Sequence, residues 1–162
     1  MCTIYNVKLY CDGACSCNQI GKGHGGYAAS LYDDKGMIMT ISGHRSGTTN
    51  NRMEMVAAIS GMIKSHAVWG GHRVHLEVIS DSRYLCDGFE KLKTRNPDWF
   101  KTVINGDLWR LIEQSSRPFL SARFTWIRGH DKDNLIHTKI DRLARQEAQK
   151  VRKQHENDMP GK

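Results

Sequence analysis

The run Val74-His75-Leu76-Glu77-Val78-Ile79, set between Gly70-Gly71 and Ser80-Asp81-Ser82, constrains the fold more than any other stretch. Val74, Leu76 and Val78 alternate as a strand does, and Ile79 makes its end nearly apolar, as expected for a strand covered on both faces. A helix pattern carrying Tyr84, Leu85 and Phe89 follows. Asp81 is left at the C-terminal end of a hydrophobic strand, where helix capping would account for it or for Ser82. The stretch Val7-Lys8-Leu9-Tyr10-Cys11-Asp12-Gly13-Ala14 repeats that arrangement. Its period of two ends on Asp12, and Gly13 lets the backbone turn away. A carboxylate in a buried strand is costly unless it is paired or bound to a cation, although Asp-Gly can also simply start a turn.

Between these strands the glycine-rich segment from Ala14 to Gly26 reads as a loop that is neither a dinucleotide fingerprint nor a P-loop. Tyr27 to Tyr32 and Met37 to Ser42 read as strands joined by the hairpin turn Asp33-Asp34-Lys35-Gly36, so three strands open the chain as a meander. The polar stretch Ser46 to Asn51 supplies capping oxygens for a helix beginning near Asn51 or Arg52, with Met55, Val56, Ile59, Met62 and Ile63 as its apolar face. Glu54 falls in the first turn, where compensation of the helix dipole explains an acid. Lys91 to Lys101 mixes Lys91, Lys93, Arg95 and Lys101 with Trp99 and Phe100, and Leu108, Trp109 and Ile112 mark a further helix. Phe119 to Ile127 reads as a fifth strand delivering Arg128-Gly129-His130, and a last helix runs from about Leu135 to Arg152 with Ile136, Ile140, Leu143 and Ala144 inward and Asp141 toward that side. His130 can titrate near neutral pH, as a proton carrier must.

At 162 residues, with 39% hydrophobic and 25% charged residues, the chain suits one domain over residues 1–155, followed by a polar, flexible tail at 156–162. No apolar run is long enough to span a membrane, and the first residues lack a secretory pattern, so a cytoplasmic setting is expected. Five cysteines, an odd number, suit reduced thiols better than a disulfide framework, and Cys15, Cys17 and His24 lack the paired spacings of structural zinc sites. The net charge of +7 is modest support for a polyanionic partner.

Each acid has a structural explanation alone. Together, Asp12, Glu54, Asp81 and Asp141, with His130, suit a cluster holding two Mg²⁺ ions for phosphodiester hydrolysis, carboxylates being hard oxygen ligands. The stretches Tyr10-Cys11-Asp12-Gly13-Ala14, Thr48 to Glu54, Ser80-Asp81-Ser82, Asp107-Leu108-Trp109, Trp126 to His130 and Ile140 to Ala144 closely resemble type I ribonuclease H, in that family's order and over nearly the whole chain. The resemblance is to bacterial or phage-like members without a separate hybrid-binding domain. It implies an α/β ribonuclease H-like fold, a five-stranded mixed sheet flanked by helices, and an endonuclease cutting the RNA strand of RNA/DNA hybrids to leave 5′-phosphate and 3′-hydroxyl ends. By position, Asp12, Glu54, Asp81 and Asp141 would hold Mg²⁺, with Mn²⁺ as a substitute, and His130 would assist leaving-group departure or product release. Asn18, Asn50 and the backbone near Cys15 resemble readers of RNA 2′-hydroxyls. Thr49 and Asn18 resemble part of a pocket for a DNA-strand phosphate, with Arg52 close by, and a monomer is expected. Two departures stand out: His137 occupies a position where the family often has Asn, and Arg83 one where Gln is frequent, which suggests a phosphate contact there. The Thr48 to Glu54 run argues against a junction nuclease or an integrase-like transferase but not against an isolated reverse-transcriptase domain, and the four acids argue against a non-catalytic hybrid binder.

Overall fold

The computed structural model describes residues 3–17, 21–96, 98–129 and 133–158. In chain order these form β1 (Tyr5–Cys15), β2 (Gly23–Asp33), β3 (Gly36–Thr48), α1 (Asn50–Trp69), β4 (Val74–Ser80), α2 (Arg83–Leu92), α3 (Trp99–Thr102), α4 (Gly106–Ser116), β5 (Ser121–Trp126) and α5 (Leu135–Asp158). The sheet order is β3-β2-β1-β4-β5, with β1, β2 and β3 antiparallel and β4 and β5 parallel to β1. The expected five-stranded mixed sheet is therefore present.

Local chemistry explains the connections. The β2–β3 turn closes where the Lys35 N–H donates to Asp33 Oδ1 at 2.8 Å and Gly36 takes φ 126°, a value that favours glycine. Thr49 caps α1, its Oγ1 accepting from the Arg52 N–H at 3.4 Å. The helix thus starts at Asn50 and Glu54 falls in its second turn, beyond the reach of simple dipole compensation. From the edge strand β3, α1 carries the chain back so that β4 can pair beside β1, the crossover that parallel strands require.

Two apolar layers sandwich the sheet. Val7, Leu9 and Cys11 of β1 and Val74, Leu76 and Val78 of β4 face Met55 and Met62 of α1, Leu85 of α2, and Trp109 and Ile112 of α4. On the other face Ala28 meets Ile140 and Ala144 of α5. β4 is buried on that second face at Ile79, while His75 is exposed and Glu77 half-buried, so two-sided cover is confined to the strand's end.

Several boundaries differ from the sequence expectation. β2 begins at Gly23 and β3 runs to Thr48, so three glycines expected in a loop lie in the sheet. At Gly26 an added Cβ would stand 2.1 Å from the Ala144 carbonyl oxygen; glycine is what lets α5 lie directly on β2. Ile63 is exposed, because the buried stripe of α1 passes through Met55, Ala58, Met62, Ser65 and Trp69 instead. α5 continues to Asp158, past the boundary at 155. Its Glu147 ties it to β3, accepting from Ser42 Oγ at 3.1 Å, pairing with His44 Nδ1 at 2.9 Å and accepting from Lys150 Nζ at 2.6 Å. Among the described residues no helix is long and apolar enough to cross a membrane.

Candidate active site

The parallel register of β1 and β4 sets Tyr10 opposite Ile79. Two residues further along each chain, Asp12 and Asp81 therefore come out side by side near the carboxyl ends of neighbouring strands. β1 has β2 on one side and β4 on the other, and the connections leave in opposite directions, the switch point at which open α/β sheets bind ligands.

Two helices complete the group. Gly13 is followed so closely by α1 that an added Cβ would lie 2.3 Å from Glu54 N and 2.5 Å from the Met53 carbonyl carbon. This approach brings Glu54 to Asp12, and both acids are 4% exposed. Asn50 Nδ2 donates to Glu54 Oε1 at 3.3 Å, whereas Glu54 Oε2 has no hydrogen-bond partner among the described residues. From the opposite face α5 supplies Asp141, held by Arg145 Nε at 2.8 and 3.1 Å. The four acids and Asn50 line a cleft of about 390 Å³, with Cys15, Arg145 and Arg152 on its walls.

Electrostatics in this cleft are unfavourable for bare carboxylates. Burial, then the charges of Asp81 and Asp141, push the Asp12 carboxyl up to about 8, although the Gly13 N–H donates to its Oδ1 at 2.7 Å. Burial, then Asp12 and Asp81, hold Glu54 well above the usual carboxylate range. Converging acids that resist ionisation are relieved by a bound cation. The unpartnered Glu54 Oε2 and the all-oxygen character of the four acids fit a hard divalent ion.

The sequence model of the RNase H family matches residues 5–149. The chain belongs to the ribonuclease H family. The ribonuclease H of Caldanaerobacter subterraneus subsp. tengcongensis is 39% identical over 153 residues, covering 89% of this chain and 92% of that protein. That of Thermoanaerobacter sp. strain X514 is 36% identical over 158 residues, covering 92% and 94%. Among solved structures, LC9-RNase H1, a type 1 RNase H with the type 2 active-site motif, aligns with a TM-score of 0.75 at 22% identity, covering 91% of this chain and 74% of that one. LC11-RNase H1, solved in complex with an RNA/DNA hybrid, aligns at 0.66 and 19% identity, covering 89% and 97%. The structural likenesses carry the fold, and the family and its curated relatives carry the type: this is a ribonuclease H, of the enzyme family that degrades RNA in RNA/DNA hybrids.

In this RNase H, His137 joins the acids, a placement that the sequence reading did not assign. Asn134 caps α5, its Oδ1 accepting from the His137 N–H at 3.0 Å. The buried ring directs Nε2 to within 3.6 Å of Asp81 Oδ1 and 4.0 Å of Asp12 Oδ2. A signal was available, since His137 precedes Asp141 by four residues and must share its helix face.

The other expected positions spread along the rim. Cys15 Sγ donates to the Cys17 carbonyl at 2.8 Å, and burial raises its thiol pKa. Thr49 is spent as the α1 cap. Arg52 donates to Asp107 through both terminal nitrogens, at 3.0 and 2.6 Å, and to Asn105 Oδ1 at 3.2 Å, which ties α1 to α4. The Arg83 guanidinium carbon stands over the Trp126 ring, 3.9 Å from its centre, and Trp126 Nε1 donates to the Asp81 carbonyl at 2.9 Å. Asn18 and His130 lie outside the described residues.

Proposed function

We propose that this ribonuclease H is an endonuclease that hydrolyses the RNA strand of RNA/DNA hybrids, leaving 5′-phosphate and 3′-hydroxyl ends. The observation that carries this reading is the convergence of Asp12 of β1, Glu54 of α1, Asp81 just after β4 and Asp141 of α5 on one cleft. Two Mg²⁺ ions on these acids, with Mn²⁺ as a substitute, would supply an activated water and stabilise the departing oxygen. The remaining work falls to the chain itself. Asn50, fixed against Glu54, offers an amide beside the cleft for a ribose hydroxyl, together with the backbone at Cys15. By the family resemblance, Asn18 would share that role. Arg83, braced on Trp126 next to Asp81, presents a cation to the sugar–phosphate backbone. Arg145 and Arg152 add positive charge to the walls. Thr49 holds the α1 start, where a DNA-strand phosphate would sit. His130 would aid departure of the leaving group or product. The enzyme would act as a monomer in the cytoplasm.

Incubation with matched RNA/DNA, RNA/RNA and DNA/DNA duplexes, with and without Mg²⁺, tests the reading. Cleavage confined to the RNA of the hybrid and dependent on the ion is expected. Equal cutting of the DNA/DNA duplex, or full cutting in EDTA, overturns it.

A further inference from the structure

We propose that His137 is a direct nitrogen ligand of the catalytic metal centre, so that this site is a mixed nitrogen–oxygen site and favours Mn²⁺ over Mg²⁺. The proposal rests on the reading of Asp12 and Asp81 as metal ligands and adds a donor that the four-acid set does not contain.

Three features of the ring support it. First, His137 is 4% exposed and its Nε2 has no hydrogen-bond partner among the described residues, although it faces the carboxylates of Asp12 and Asp81. A buried polar atom left without a partner is costly, and an imidazole nitrogen aimed at carboxylates is satisfied by a proton or by a metal ion between them. Second, the distances suit a shared ion. Donor atoms each about 2.1 Å from one ion can stand at most about 4.2 Å apart, and Nε2 is 3.6 Å from Asp81 Oδ1 and 4.0 Å from Asp12 Oδ2. One ligand atom from each of the three residues falls within 4.8 Å of the others. Third, the ring is preorganised. The Asn134 cap fixes the His137 backbone in the first turn of α5, and Ile140, buried on the same side, packs that turn against Ala28 of β2. Asp141 follows one helical turn later, so α5 presents an i, i+4 His–Asp pair to the two acids at the strand ends.

The chemical consequence is selectivity. Mg²⁺ is satisfied by oxygen and water at near-ideal octahedral positions, and gains little from imidazole. Ions of the transition series accept nitrogen readily, and Mn²⁺ among them also suits an oxygen-rich shell.

Pulsed electron paramagnetic resonance of Mn²⁺ bound to the full chain reads the nitrogen directly. Wild type with one equivalent of Mn²⁺ is expected to show ¹⁴N modulation that changes to ¹⁵N modulation when the histidines are ¹⁵N-labelled. His137→Asn and His137→Gln are expected to lose it, and their Mn²⁺ affinity relative to Mg²⁺ should fall at least ~10-fold. His130→Ala should retain the modulation, which keeps the test decisive even where the His137 variants fail to fold. Bound Mn²⁺ without histidine coupling in wild type, or coupling that persists in His137→Asn or is lost in His130→Ala, overturns the proposal while leaving the carboxylate site intact. Absence of saturable Mn²⁺ binding, or binding unchanged in Asp12→Asn, overturns the carboxylate site as well.

Discussion

Gly129 lies against Asp81 so closely that a Cβ added to it would stand 2.4 Å from Asp81 Oδ2. Gly129→Ala should therefore displace the Asp81 carboxylate while leaving the core untouched. Displacements of about 1 Å at a reacting centre cost roughly 10²-fold in rate. Hybrid cleavage should fall by about that factor with the thermal midpoint little changed; near-wild-type turnover would show that Asp81 has room to move.

Asp12→Asn keeps the shape of the side chain and removes its charge from the centre of the acid group. Cleavage should be abolished while hybrid binding, measured by fluorescence anisotropy, persists. Turnover like that of wild type would remove Asp12 from the mechanism.

The raised pKa of Asp12 fixes the sign of a pH effect on the metal-free protein. In the unfolded chain an aspartate titrates near ~3.9, whereas the folded protein retains this proton up to about 8. Between those values the folded state binds more protons, so stability falls as pH rises from about 4 to about 8. The limiting slope is ~1.4 kcal/mol per pH unit. Thermal melts in EDTA should show wild type more stable at pH 5 than at pH 8, with the difference reduced in Asp12→Asn. A melt equally pH-dependent in both proteins would locate the effect elsewhere.

Arg52 is already paired with Asp107 through both of its terminal nitrogens. A lysine or arginine that neutralises a phosphate contributes about one unit to the salt dependence of nucleic-acid binding. Arg52→Gln should leave the slope of log affinity against log salt for the hybrid unchanged. A slope smaller by about one would mean that Arg52 leaves Asp107 to hold a phosphate.

Glu147 joins α5 to β3 through Ser42 and His44, and also accepts from Lys150 of its own helix. Removing a buried charged acceptor that serves several donors costs about 1–3 kcal/mol. Glu147→Ala should lower the thermal midpoint by about 2–4 °C per kcal/mol. Chemical denaturation with an unchanged midpoint would show that the clamp is dispensable.

The sheet and the positions of Asp12, Glu54 and Asp81 were legible in the sequence for a shared reason. Strand alternation ending in Asp12 and Asp81, and the dense Thr48 to Glu54 run, are local patterns that survive without knowledge of tertiary contacts. What escaped was set by packing. Ile63 was assigned inward because its spacing allowed it, yet the axis of α1 turns Ser65 and Trp69 to the sheet instead. Gly23, Gly25 and Gly26 suggested a loop because their role is to admit Thr48, Met53 and α5 against the sheet, a contact that no local pattern announces. The pairing of Arg52, expected close by a phosphate pocket, with Asp107 was not legible because Asp107 comes from α4, far along the chain. His137 was visible as a departure from the family, and only the seating of α5 on β2 turned it toward Asp12.

The pairing of β1 with β4 joins residues on either side of β2, β3 and α1. Asp12 and Asp81 therefore meet only after the longest loop closures of the sheet are complete, and partly folded chains hold these acids dispersed. Divalent-ion affinity is then expected only of the finished native state, where a bound ion would act as a latch on a molecule already assembled. The expected kinetic signature is a refolding rate indifferent to the divalent ion beside an unfolding rate that the ion slows, read by stopped-flow with and without EDTA.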